Sequence, residues 1–390
     1  MNKLCTILLG FTLMTVISSM EAHAATTSNL EMSLKITSKN MTNLYDAKGQ
    51  AKQTIPKGTK VTLKAVTEQY GQIVYQGTTA YVNLVDFYAD SIIDGSKKIS
   101  FNDMQLKLQA FSKMYPSFTD LQIIGQSVEG RPLYALKVGT GSKQILMDAS
   151  FHAREYMTTN VLMKMIEAYV HAYANQTTFG KYDVKSILAN VSIVFVPMVN
   201  PDGVTLAQGG QVNTSLATLK KYNNGSANFD RWKANVHGVD LNRQFAVNWH
   251  LIKTTKPSFK EYKGTKPFTE PEALAMKKLI DQTPFKAYIS YHSSGQIIYW
   301  SRAKTMFERT KLLVRDISTI TGYKLMPVTK SNEPIAAAED YFTKVKDMPA
   351  MTIEIAPYAG EVSVPLSQWA DVWKRNQFVG LYLANEARKW

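Results

Sequence analysis

Four stretches constrain this chain most: KQILMDASF (143–151), VSIVFVPMVN (191–200), KAYISYHS (286–293) and AMTIEIA (350–356). Each is a nearly continuous apolar run rich in β-branched or aromatic residues. None shows the alternation of a strand with one wet face. Such runs are strands buried on both sides, as in parallel sheets covered by helices. Between them lie helical patterns: FNDMQLKLQAFSKMY (101–115), TTNVLMKMIEAYVHAYA (158–174), PEALAMKKLIDQ (271–282) and QWADVWKRNQFVGLYLANEARK (368–389). Asn102 or Asp103 is the expected cap of the first and Thr158 or Thr159 of the second, and Pro271 opens the third. The expected fold over 101–390 is α/β, a mixed and mostly parallel sheet covered by helices.

The N-terminal part reads differently. KVTLKAV and GQIVYQGTTAYVNLVDFY alternate with period two, Pro56 and Gly58 mark a turn, and YQGTTAYV reads as a hairpin. Residues 28–92 are therefore expected to form a small all-β domain. Residues 93–100 are polar and read as a linker. Residues 1–24 read as a secretion signal: Lys3, an apolar run, then Ala22-His23-Ala24 as a small-x-small cleavage site. The run is near or below spanning length and ends in polar residues, so no membrane span is expected after cleavage.

Cys5 is the only cysteine and lies within the signal. The mature chain would hold neither disulfides nor thiolate ligands, which suits a bacterial exoprotein. The net charge of +14 suits an anionic cell wall. Nucleic acid is not expected, because no groove-reading motif is present. A monomer is expected.

In sheets of this kind ligands gather at the C-terminal strand ends. Those ends carry His152 with Glu155, His292, and Glu354; Asn200-Pro201-Asp202-Gly203 reads as a turn. Two histidines and one carboxylate around an open position make a catalytic zinc site. The remaining carboxylate can then take a proton from water that the metal acidifies. Alone, a His-x-x-Glu spacing is weak, and a strand-end histidine is more often a satisfied core residue.

The ordered set HARE, GVDLNRQF, YHS and MTIE, with IIGQSVEGRPLYALKVG (123–139) and NPDG, resembles the M14 zinc carboxypeptidase family over roughly residues 100–390. The resemblance implies one Zn²⁺ per chain held by His152, Glu155 and His292, a ligand set known for this family. It implies Glu354 as general base, and Asn242 and Arg243 as the pair that binds a substrate carboxylate. It also places Glu339 on the floor of the pocket that selects the residue after the scissile bond. An acid there favours a cationic side chain.

Two positions depart from the family pattern. The oxyanion arginine is replaced by Lys233 after Trp232, with Arg231 as an alternative. The mobile tyrosine position falls near Asn332, where there is none.

NEPIAAAEDYF, MTIEIAPYAGEVSVPL and VWKRN resemble more closely a bacterial M14 branch that cleaves the γ-D-glutamyl–diaminopimelate bond of peptidoglycan stem peptides. LYDAKGQAKQTIPKGTKVTLKAV resembles bacterial SH3-like barrels, which commonly bind cell-wall peptides. A secreted or wall-associated zinc metallopeptidase acting on peptidoglycan peptides is expected. Release of C-terminal basic residues is the alternative, and a non-catalytic wall-binding protein a more remote one.

Overall fold

The computed structural model describes residues 33–89, 91–330 and 332–390. The expected signal, residues 1–24, lies outside them. No helix among the described residues is long and apolar enough to cross a membrane.

An antiparallel sheet comes first. Its strands are β1 (Leu34–Ser38), β2 (Thr42–Tyr45), β3 (Ala51–Ile55), β4 (Lys60–Val66), β5 (Gly71–Tyr75), β6 (Thr78–Val82) and β7 (Phe87–Tyr88), in the order β3-β2-β6-β5-β4-β1-β7. Alternation sets the buried face: Leu34, Ile36, Val61 and Leu63 point inward, while Lys35 and Lys60 are exposed. The β5–β6 hairpin closes through Gln76 and Gly77, both with positive φ (49° and 79°). A two-residue turn with two positive φ values matches the twist of its strands, and glycine takes the second position without strain.

Residues 91–100 are packed rather than free. Ile92, Ile93 and Ile99 are buried. The Ile92 and Ile93 N–H groups donate to Glu167, and Asn160 Nδ2 donates to the carbonyls of Gly95 and Lys97, both at 2.8 Å. At Gly95 a Cβ would lie 2.1 Å from the Trp369 ring, so a side chain there requires the ring or the segment to shift.

The remaining elements begin with α1 (Phe101–Met114), β8 (Thr119–Gln126), β9 (Pro132–Val138), β10 (Lys143–Ala149) and α2 (Met157–Asn175). A short hairpin, β11 (Thr178–Phe179) and β12 (Tyr182–Asp183), leads to α3 (Val184–Leu188), β13 (Val191–Val196), α4 (Pro201–Ala207) and α5 (Leu216–Tyr222). Then come α6 (Pro271–Gln282), β14 (Phe285–Ser293), β15 (Ile297–Trp300), α7 (Phe307–Thr321) and β16 (Lys324–Leu325). The chain closes with α8 (Ala338–Lys346), β17 (Ala350–Ile355), α9 (Trp369–Asn376) and α10 (Val379–Ala387).

Eight strands form a mixed sheet in the order β16-β15-β17-β14-β10-β13-β9-β8. Its centre, β17-β14-β10-β13, is parallel; β9 and β15 flank it antiparallel. Successive side chains feed opposite cores. Ile145, Met147, Ile289 and Ile353 join α2 and α10, whereas Leu146, Tyr288 and Val196 join Met276 of α6 and Phe342 of α8. This accounts for the unbroken apolar strands, since full burial of each such side chain stabilises by about 1.5–3 kcal/mol. The first of these clusters runs on without a break into the buried side chains of β1 to β7.

Three local expectations are corrected. Ser100, not Asn102 or Asp103, caps α1, with its Oγ accepting the Asp103 N–H at 3.1 Å. Neither Thr158 nor Thr159 caps α2, which begins at Met157 after Tyr156. Their hydroxyls donate instead to the carbonyls of Glu155 (2.7 Å) and Pro197 (2.6 Å). The NPDG stretch is the first turn of α4, capped by Asn200 Oδ1 on the Gly203 N–H at 3.0 Å.

Candidate active site

The C-terminal ends of β10, β14 and β17 meet at one point. β10 leads through Ser150, whose φ is +53°, into the turn that carries His152 and Glu155. Ser150 is pinned there, its N–H donating to Thr158 Oγ1 at 3.0 Å. His292 is the penultimate residue of β14 and Glu354 that of β17, and the two are register partners.

His152 Nδ1 and His292 Nδ1 each lie 2.9 Å from a Glu155 carboxylate oxygen, and 3.0 Å from one another. All three side chains are buried. Two ring nitrogens that close require a proton or a cation between them. Two imidazoles and a carboxylate converging on one point fit a single metal ion with a coordination position left over. Burial alone would push Glu155 up, but the two rings hold it well below the usual carboxylate range. Burial opposes the charge on His292, yet Glu155 and Glu354 outweigh it and raise the ring to about 9.

Asp240, which the sequence reading did not single out, fixes the first ligand. It is fully buried, and its Oδ1 accepts from His152 Nε2 at 3.1 Å. That bond leaves Nδ1 free to face the metal point, the usual carboxylate–histidine arrangement behind a metal. Its sequence signal was its place two residues before Asn242 in GVDLNRQF.

Glu354 lines a cleft of about 300 Å³ together with His152, His292, Lys233, Asn242 and Arg243. Burial, then the charge of Glu155, pushes its carboxyl up to about 7, the range suited to a general base. Lys233 reaches the cleft from a loop that is strapped to the metal turn: Ala153 N–H donates to Lys233 O at 3.1 Å, and Arg154 N–H to Trp232 O at 2.9 Å. Arg231 points elsewhere. It stacks on Phe259 at 4.2 Å and donates twice to Asn223 at 2.9 Å.

Asn242 Oδ1 accepts the Ala338 N–H at 3.0 Å, and its Nδ2 lies 3.4 Å from His292 Nε2. Arg243 Nη1 donates to Asn242 O at 2.9 Å, which leaves most of its fork for a ligand. On α8, Glu339 is 8% exposed; Oε1 accepts from Thr352 Oγ1 at 2.6 Å, and Oε2 has no hydrogen-bond partner among the described residues. Asn332 is exposed and does not line the cleft. The cleft does hold a tyrosine, Tyr299 on β15, opposite Thr352. Nothing in the alternation of QIIYW marked it.

The family model for zinc carboxypeptidases, the M14 peptidases, matches residues 104–347. The chain belongs to the M14 zinc carboxypeptidase family. This M14 zinc peptidase is 32% identical over 298 residues to gamma-D-glutamyl-L-diamino acid endopeptidase 1 of Lysinibacillus sphaericus, across 75% of this chain and 73% of that one. It is 30% identical over 292 residues to the uncharacterized protein YqgT of Bacillus subtilis strain 168, across 73% and 77%. Among solved structures, thrombin activatable fibrinolysis inhibitor has the same fold: TM-score 0.62 over 76% of this chain and 75% of that one, at 22% identity. The M14 match includes His152, Glu155 and His292 but stops before Glu354, so that residue stands on its position in the cleft.

Proposed function

We propose that this M14 peptidase is a secreted bacterial enzyme that hydrolyses peptidoglycan stem peptides at the γ-D-glutamyl–diaminopimelate bond. The observation that carries this reading is Glu339: a buried carboxylate with one unpartnered oxygen, in the same cleft as the metal point. A distal ammonium is the partner it lacks. The similarity to an enzyme named for γ-D-glutamyl-diamino acids supports the same bond.

Zinc, held by His152, Glu155 and His292, would supply a Lewis acid that polarises the scissile carbonyl and acidifies water. Arg243 and Asn242 bind the diamino acid's main-chain carboxylate and fix its register. Glu354 takes a proton from the attacking water and delivers it to the departing amino nitrogen. Lys233 faces the charge that develops on the carbonyl oxygen. The N-terminal sheet, SH3-like in sequence, serves as a wall-binding module. It supplies no residue of the cleft, whose lining begins at His152, so in this reading it does not plug the site. The enzyme acts as a monomer on an anionic wall that its +14 charge favours.

The test is incubation with purified stem peptides and mass analysis of the products, with and without a chelator. Cleavage between D-glutamate and the diamino acid, lost on chelation, is expected. The orphan carboxylate also suits release of C-terminal lysine or arginine. Turnover of hippuryl-arginine with intact stem peptides would replace the first reading by that one.

A further inference from the structure

This inference rests on the reading above and concerns the acyl side of the scissile bond. In a γ-linked D-glutamate the α-carboxyl takes no part in the cleaved amide. It stands four bonds from the scissile carbonyl carbon. It can be a free carboxylate, or an amide that turns the residue into D-isoglutamine.

In that reading Asn242, Arg243 and α8 hold the amine side of the cleft. Three other segments leave the metal point and meet again at a cationic rim. The metal turn carries Arg154, between His152 and Glu155. The loop that brings in Lys233 is bonded to a second loop, the Lys233 N–H donating to Phe259 O at 2.8 Å, and Lys260 follows Phe259. The loop after Glu354 is tied beside His292: the Gly295 N–H donates to Ala356 O and the Ala359 N–H to Ser294 Oγ, both at 2.9 Å. It carries Glu361, which pairs with Lys260.

The rim thus sets three cations, Arg154, Arg231 and Lys260, around one carboxylate. The hydrogen bond from Lys260, then the charges of Lys260, Arg154 and Arg231, hold Glu361 below its usual range. Arg231 is taken up by Phe259 and Asn223, and Lys260 by Glu361. Arg154 is half-buried, its Nη1 donates to the Arg231 carbonyl at 3.1 Å, and it forms no ion pair among the described residues. The rim therefore keeps positive charge beside the metal turn, in a guanidinium fork suited to a carboxylate.

We infer that Arg154 binds the free α-carboxylate of the γ-linked D-glutamate, so that the enzyme prefers stem peptides with that carboxyl free over those in which it is amidated. The amide keeps the shape but forfeits the charge-assisted pair.

Two peptides, L-Ala-γ-D-Glu-diaminopimelate and its D-isoglutaminyl counterpart, test this on the zinc-loaded full chain. They differ only at the α-carboxyl. The wild type should cleave the acid with a kcat/KM about 10–100-fold higher. Added salt should narrow that gap. Arg154→Gln should lose about 10–100-fold on the acid and no more than about threefold on the amide, with zinc content unchanged. A merely structural role would lower both alike. Arg154→Lys keeps the charge without the fork. It should narrow the gap partway, and it covers the case in which Arg154→Gln loses zinc or fails to fold.

Equal or better cleavage of the amide by the wild type overturns the inference and leaves the proposed function standing, since both peptides are then cut at the same bond. So does a gap that neither Arg154 variant narrows. Cleavage of neither peptide overturns the proposed function, and this inference with it.

Discussion

Replacing Asp240 with asparagine isolates the residue behind the metal point. The carboxylate is fully buried and accepts three hydrogen bonds: His152 Nε2 and the Asn242 N–H on Oδ1, and the Glu261 N–H on Oδ2, each at 3.1 Å. Burial would raise it, but His152, Lys233 and Arg243 hold it well below the usual carboxylate range. Asparagine keeps the shape and one acceptor, and sets an NH₂ against one of those donors. If the amide oxygen stays with His152, the Glu261 N–H loses its acceptor. If it flips, His152 loses its own and its ring is no longer fixed. A charge-assisted bond of this kind contributes about 1.5–3 kcal/mol, and such partners typically govern about 10–100-fold of metal affinity. Zinc dissociation constants from competition with a chromophoric chelator should therefore rise about 10–100-fold, with the far-ultraviolet spectrum unchanged. A folded Asp240→Asn protein that binds zinc within about twofold of wild type would refute the role of this contact.

Two further predictions concern Lys233 in the cleft and Glu272 on α6. Lys233→Met should lower kcat by about 10²–10³-fold without changing zinc content, whereas Arg231→Ala should alter thermal stability but not kcat; the reverse would assign the oxyanion role to Arg231. Glu272 is fully buried, and burial, then the charges of Asp202 and Glu270, raises it from 4.5 to about 8. A folded pKa above the unfolded one means stability present below about 4.5 and lost as pH rises through about 8, with a slope of up to about 1.4 kcal/mol per pH unit. Glu272→Gln does not titrate, so its melting temperature relative to wild type should climb between pH 5 and pH 8; an equal offset at both pH values would contradict a neutral Glu272.

Apolar runs visible in the chain narrowed the candidate ligands to strand ends, which sheet topology gathers, and the ordered motifs HARE, YHS and MTIE that resemble the M14 family named them. Asp240 stood inside the GVDLNRQF motif, but its contact with His152 was not legible. A loop carboxylate looks like any other until folding brings residue 240 against residue 152. Tyr299 enters the cleft only because β15 pairs antiparallel with β17, setting it opposite Thr352. The α2 cap was misread for a related reason. Thr158 and Thr159 are good capping residues, but a nearby carbonyl claims each hydroxyl. Residues 93–100 are polar by composition, yet Ile93 and Ile99 are buried and Asn160 of α2 holds the carbonyls between them. Contacts with a helix some 60 residues downstream leave no mark on local polarity.

One ion shared by His152, Glu155 and His292 is the centre of the proposed chemistry. Metal analysis after zinc repletion and desalting tests it most directly, on wild type beside His292→Ala. About one zinc per wild-type chain and almost none in the variant is the predicted result. A wild-type chain that retains no zinc, or a folded His292→Ala chain that retains as much as wild type, would contradict it.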